Sequence, residues 1–167
     1  LHFWSWGYGY LYTIKTSLWV DNKKVDEVST RTGFRKTRFG DGKIWLNDRV
    51  LQMKGFAQRT SNEWPGVGMS IPAWLSDYSN GLMTACNANL VRWMHVTPWK
   101  QDVESCDRVG LIQAMPAGDA EKDCVGRQWE QRKELMRDAI IYNRNNPSIL
   151  FYESGNESIS REHVLEM

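Results

Sequence analysis

The chain has 167 residues, and its 21 Lys+Arg against 20 Asp+Glu leave a formal charge of +1, too little to hold a polyanion by phosphate neutralisation. With 41% hydrophobic and 25% charged residues the composition is that of a soluble globular protein, and no stretch approaches the roughly 18 to 20 apolar residues of a membrane span. Nucleic acid and membrane are therefore excluded as partners.

The N-terminal segment LHFWSWGYGY has no basic region followed by an apolar one, so it does not read as a secretory signal. Residues 1 to about 53 read as β-structure. YLYTIKTSLWV and VDEVSTRTGFRKTRF alternate and are rich in β-branched and aromatic residues, DNKK and GDGK are turns, and Asn47-Asp48 in IWLNDRVLQMKG looks like a hairpin tip. This spacing predicts the end of a β-sandwich followed by a lead-in hairpin.

From about residue 51 the texture changes. VLQMKGFA, NLVRWMHV, GLIQAM and SILFYESG are predicted strands, and IPAWLSDYSNGLMTA, KQDVESCDRVG and GRQWEQRKELMRDAIIYNRN are predicted helices between them. A further helix starts at SREHVLEM. Strands alternating with helices predict a parallel β/α arrangement. A closed barrel needs about 200 to 250 residues, so the chain reads as a window on a longer protein.

Cys86, Cys106 and Cys124 match no metal-ligand spacing and read as reduced, structural thiols. Nine Trp, six Tyr and five Phe are the compositional excess, and exposed indole faces suit the apolar face of a sugar ring. Trp4, Trp6, Trp19 and Trp45 in the β region are assigned to packing, and the helix WEQRKELMRD to a solvated face.

The segment SILFYESGNES, residues 148 to 158, carries the sharpest chemistry. Read as one strand it puts Glu153, Gly155 and Glu157 on one side, with Glu157 where the apolar run gives way to polar loop. Active-site groups of β/α barrels sit at such C-terminal strand ends. On pattern alone, a carboxylate capping the next helix is an equal alternative.

GFRK at 33–36, LNDRVLQMKG at 46–55, NLVRWMHVTP at 89–98, CDRVGL at 106–111, RNNPSI at 144–149 and GNES at 155–158, in this order, resemble glycoside hydrolase family 2. The resemblance implies an α/β chain: the C-terminal part of an immunoglobulin-like β-sandwich over residues 1–40, then the first half of a (β/α)8 TIM barrel over 41–167. It further implies that Glu157 is the general acid/base and that Asn156 hydrogen-bonds the sugar 2-hydroxyl. The family's nucleophile falls on a later strand, beyond Met167. Glu153, about 13 Å from Glu157 if both lie on one strand, is too far to serve as that nucleophile. It stands where the family usually has a small residue, and reads as paired inside the barrel.

By the same resemblance Arg92 supports the nucleophile carboxylate and His95 contacts substrate hydroxyls; the plainer alternatives are an Arg salt-bridged within the barrel and a His bonded to a neighbouring loop. Trp64, Trp93 and Trp99 fall in or near strand-to-helix loops, and Trp64 and Trp99 are the stacking candidates carried forward. The loop containing Arg59, Asn62, Glu63 and Trp64 departs from the family pattern, and Pro116 stands where many members carry a Glu. The activity implied is that of a retaining exo-β-glycosidase acting on terminal β-galactosides. Its rivals are a β-glucuronidase or β-mannosidase on the same fold, and a non-catalytic carbohydrate-binding barrel. No organic cofactor is implied and no oxygen-ligand cluster marks a cation site. Self-association is left to the full-length protein, and the compartment is open, with a periplasmic or extracellular location fitting polysaccharide breakdown.

Overall fold

Paired residues with positive φ place the tight turns. The computed structural model describes residues 1–59, Gly66, 71–118 and 122–167. Asp21 and Asn22, with φ of 47° and 60°, join strand β1 (Tyr12–Val20) to β2 (Lys23–Thr32) in an antiparallel ribbon that aligns Tyr12 with Thr32. Such two-residue turns match the right-handed twist of their strands. Asp41-Gly42 and Asn47-Asp48 do the same for β3 (Thr37–Gly40), β4 (Lys43–Leu46) and β5 (Arg49–Val50), a three-stranded antiparallel sheet. Asn47 is thus the hairpin tip its sequence suggested, and its side-chain amide also donates to the Trp4 carbonyl at 2.9 Å.

One expected strand is interrupted. The alternating run over 25–39 leaves its ladder after Thr32, because Gly33 passes against Pro147 and Trp4. A Cβ at Gly33 would meet Pro147 Cγ at 2.8 Å, so no side chain fits there. Beyond it Arg35 donates from Nη2 to the Ile149 carbonyl, and its half-buried guanidinium is held below the usual arginine range chiefly by desolvation. Trp4 is fully buried with Leu46, Leu51 and Ile112, as packing required. Trp19 is not a packing residue: it is 59% exposed on β1, a strand whose only ladder among the described residues is with β2.

The second unit is a parallel sheet in the order β6-β7-β8-β9, comprising Gly55–Arg59, Leu90–Met94, Ile112–Pro116 and Ile149–Glu153. Helices α1 (Ala73–Ala85), α2 (Lys100–Val109) and α3 (Arg127–Asn143) connect consecutive strands, and α4 (Arg161–Glu166) follows the last. The chain is therefore the end of a sandwich-like β region followed by the start of a (β/α)8 barrel. Strand β6 begins five residues later than VLQMKGFA suggested, at Gly55 rather than Val50. Val50 pairs with Trp45 instead, and the Asn89 side chain satisfies the intervening backbone, accepting from Lys54 N at 2.8 Å and donating to Gln52 O at 2.7 Å.

Side chains of the sheet divide by period two. Val91 and Trp93 pack with Cys106 and Leu111, while Met115 and Ile149 pack with Val103 and Ala139, which seats α2 and α3 on the outer face. The Cys106 thiol is pushed well up by burial, as suits an inert packing group, whereas Cys86 is exposed. In α3 the helical spacing points to Trp129, Leu135, Met136, Ala139 and Ile140 as the apolar face; Trp129, Met136 and Ala139 are buried, whereas Leu135 and Ile140 are exposed, and Arg132, assigned to a solvated face, is buried.

A buried polar relay crosses these layers. Trp93 Nε1 donates to Gln113 Oε1 at 2.8 Å, Gln113 Nε2 donates to Ser148 Oγ at 2.6 Å, and Ser148 Oγ donates to Asp107. Asp107 also accepts from Ser148 N at 3.1 Å and Asn146 Nδ2 at 2.5 Å, and its main-chain carbonyl accepts from Trp4 Nε1 at 2.8 Å. Helix α2 ends beside it at Gly110, whose φ of 73° forms a left-handed cap and whose N–H donates to the Cys106 carbonyl.

Two stability effects are expected. Gly110→Ala forces a Cβ into a left-handed position, where it lies 2.7 Å from Tyr8 N, and should cost at least about 1–2 kcal/mol in urea unfolding. Burial raises the Asp107 carboxyl above its ordinary range, against hydrogen bonds from Ser148 and Asn146. Its favourable contribution is therefore full below the unfolded value of about 4 and is lost as pH rises through the higher folded-state value. Asp107→Asn, which does not titrate, should be less stable than wild type by an amount that shrinks as pH rises above about 4.

Candidate active site

The C-terminal end of a parallel sheet collects side chains from strands that are not neighbours. Arg92 lies on β7 and Glu153 is the last residue of β9, with β8 between them. The registered neighbour of Arg92 on β8 is Ala114, small enough to let a guanidinium cross above it. Arg92 Nε donates to both Glu153 oxygens at 2.9 Å, and Arg92 Nη2 lies 2.8 Å from Glu153 Oε2. The same Nη2 donates to Asn156 Oδ1 at 3.0 Å. One guanidinium thus joins the end of β9 to the turn beyond it, and Glu153 is paired inside the barrel as its position suggested.

Glu157 does not continue strand β9. The ladder ends at Glu153, residues 154–159 form bends and irregular backbone, and Ser158 takes a φ of 56°. The reading of Glu153 and Glu157 as one period-two face is corrected accordingly. Glu157 is exposed, one residue beyond the Asn156 that Arg92 holds. It caps no helix: the N-cap of α4 is Ser160, whose side chain accepts from His163 N.

His95 follows the last residue of β7, and its Nδ1 is buried without a hydrogen-bond partner among the described residues. Trp99 is 49% exposed at the N-cap of α2, where its carbonyl accepts from Asp102 N and Val103 N. Arg92 therefore stands in the middle of β7, His95 directly after its end, Asn156 and Glu157 in the turn after β9, and Trp99 in the loop after β7. Trp64, with Asn62 and Glu63, lies outside the described residues. Trp93, the remaining indole considered for stacking, is fully buried on the helix side of the sheet. Among the described residues, no group of three His, Cys, Asp or Glu side chains is placed to hold a metal ion, and no helix is long and apolar enough to cross a membrane.

A second set of contacts steadies the turn from its far side. His163 Nδ1 lies 2.6 Å from Asp123 Oδ1, and the imidazole stacks on Trp129 at 3.9 Å between centroids. Asp123 also accepts from Ser160 N at 3.2 Å, and with His163 beside it its carboxyl stays below the ordinary range. The loop after β8 is thereby tied to the start of α4, with residues 154–159 between this tie and β9. Nothing in the sequence signals the tie, because Asp123 and His163 are 40 residues apart and neither belongs to a recognisable spacing.

Removing Arg92 should leave the Glu153 carboxylate, 18% accessible, without its principal partner. Arg92→Ala is expected to cost about 1–3 kcal/mol in urea unfolding, and the Arg92→Ala/Glu153→Ala double variant should recover part of that loss.

The profile "Glycosyl hydrolases family 2" matches residues 1–35, and "Glycosyl hydrolases family 2, TIM barrel domain" matches residues 37–167. A β-glucuronidase of Formosa agariphila is 32% identical over 165 residues, covering 98% of this chain and 17% of the relative. A β-galactosidase of Thermoanaerobacter pseudethanolicus is 27% identical over 160 residues, covering 89% of this chain and 20% of the relative. The solved structure of a β-glucuronidase from glycoside hydrolase family 2 superposes with a TM-score of 0.90 at 31% identity, covering 99% of this chain and 18% of that one. The chain thus spans about a fifth of the length of the curated relatives it matches.

Proposed function

The chain belongs to glycosyl hydrolases family 2, and from that premise we propose that it carries the acid/base half of a retaining exo-β-glycosidase whose substrate is a β-glucuronide. The observation that carries the catalytic reading is the Arg92 bridge to Glu153 and Asn156, which anchors the turn bearing Glu157 at the C-terminal end of the sheet. Glucuronide replaces the galactoside expected from the sequence. The relative at 32% identity and the solved structure at 31% are both β-glucuronidases, whereas the β-galactosidase of Thermoanaerobacter pseudethanolicus stands at 27%.

The chemistry of such an enzyme assigns a role to each residue. Glu157 as the acid protonates the glycosidic oxygen while a second carboxylate, on a strand outside residues 1–167, attacks the anomeric carbon. Glu157 as carboxylate then takes a proton from the water that opens the glycosyl-enzyme bond. Its exposure beyond the strand end gives it access to both the leaving group and that water. Asn156 meets the sugar 2-hydroxyl, a contact that strengthens as positive charge develops at the ring. Arg92 faces the second carboxylate, and His95, directly after the last residue of β7, is assigned to a substrate hydroxyl. Trp99 and Trp64 are assigned to the sugar face.

In the complete enzyme, Glu157→Ala should lower kcat/KM on alkyl β-glucuronides by about 10²–10⁴-fold. Activated aryl β-glucuronides need no protonation of the leaving group, so they should lose less and be rescued by azide. Unchanged turnover with no azide effect would remove Glu157 from the mechanism and favour a carbohydrate-binding barrel.

A further inference from the structure

Glu153 has no part in the chemistry just described, yet it is the best-bonded carboxylate at this end of the sheet. Three contacts of 2.8–2.9 Å join it to Arg92, and the Arg92 contact to Asn156 at 3.0 Å leaves from the nitrogen that also touches Glu153. A guanidinium is planar and rigid, so two oxygens on one edge fix the direction in which its remaining N–H bonds point. Without Glu153, that constraint on the direction of the Arg92 bond to Asn156 Oδ1 is lost. An Asn whose oxygen is held by a donor has its amide orientation fixed as well, with Nδ2 turned away from Arg92.

We propose that Glu153 is a positioning residue: acting through Arg92, it sets the side-chain orientation of Asn156, so that the Asn156 amide N–H group is presented to the substrate 2-hydroxyl. The inference rests on the functional reading above. It assigns a purpose to a carboxylate where the family usually has a small residue, and it makes the hydrogen bond to the 2-hydroxyl depend on a group that never touches the sugar. The part of its effect that runs through Asn156 is confined to substrates that possess that hydroxyl.

The test uses the complete enzyme with an aryl β-glucuronide and its 2-deoxy counterpart. Glu153→Ala should lower kcat/KM on the parent glycoside by about 10- to 100-fold, with a much smaller change on the 2-deoxy substrate. In the background of Asn156→Ala the same substitution should cause little further loss, because both variants remove one interaction. Glu153→Gln, near-isosteric and able to accept from Arg92 through one oxygen, should fall between wild type and Glu153→Ala and show the same dependence on the 2-hydroxyl. It keeps the question answerable if the alanine variant does not fold. Equal losses on the two substrates, losses that multiply with Asn156→Ala, or rates within twofold of wild type for both variants would overturn the inference. Glu157→Ala measured alongside separates the two levels: if that variant retains full activity, the functional reading fails; if it is crippled while the Glu153 variants behave as wild type, only the positioning role fails.

Discussion

The structure depends on a buried carboxylate that is never left without donors. Asp107 sits near the end of α2, accepts from Ser148 twice and from Asn146 once, and offers its main-chain oxygen to Trp4. An unpaired carboxylate at this depth would cost several kcal/mol, at least about 2–3, so the packing must bring all these donors together or not form. Meeting that condition places the entry to β9, the C-terminus of α2 and the N-terminal segment relative to one another. Through Gln113 and Trp93 the condition extends to β8 and β7. Arg92, next to Trp93 on β7, then meets Glu153 at the C-terminal end of β9.

The two ends of the sheet divide their work in a way common to parallel β/α folds. At the N-terminal end, Trp4, Leu46, Leu51 and Ile112 close the bottom with apolar contact, and Arg35 ties residues 33–36 to the first carbonyl of β9. At the C-terminal end, charge replaces bulk: two acidic residues and an asparagine are spread over five positions of one strand end and its loop, with Arg92 facing them from β7. The Arg92–Glu153 pair is partly exposed, so its worth in stability is modest. Its geometric constraint on Asn156 is the larger consequence. The Asp123–His163–Trp129 contacts hold the other side of the same turn, and residues 154–159 are thereby restrained at both ends.

Much of this could be read in the sequence because it is written in local chemistry. Asn-Asp and Asp-Gly pairs declare their own turns, four apolar runs declare the parallel strands, and the GNES segment marks where the last strand gives way to loop. What the sequence hid is decided by contacts between distant residues. Gly33 breaks a well-patterned strand because Pro147 occupies the space of a side chain, and β6 starts late because Asn89 takes over the backbone bonds of residues 52–54. Trp19 looks like a core residue by type and is exposed by placement. Glu157 looks like a strand residue by spacing, but the ladder stops at Glu153 and leaves it in the turn. The partner of Glu153 and the tie between Asp123 and His163 are matters of three-dimensional proximity, which alternation and spacing do not encode.

On the proposed function, the complete enzyme hydrolyses β-glucuronides with retention, through an acid/base carboxylate at position 157. The most direct measurement is proton NMR of an aryl β-glucuronide during the first minutes of turnover, before mutarotation mixes the anomers. The β-anomer of glucuronic acid as the first product is the predicted result. First appearance of the α-anomer, or hydrolysis of the matched β-galactoside with the glucuronide untouched, would contradict it.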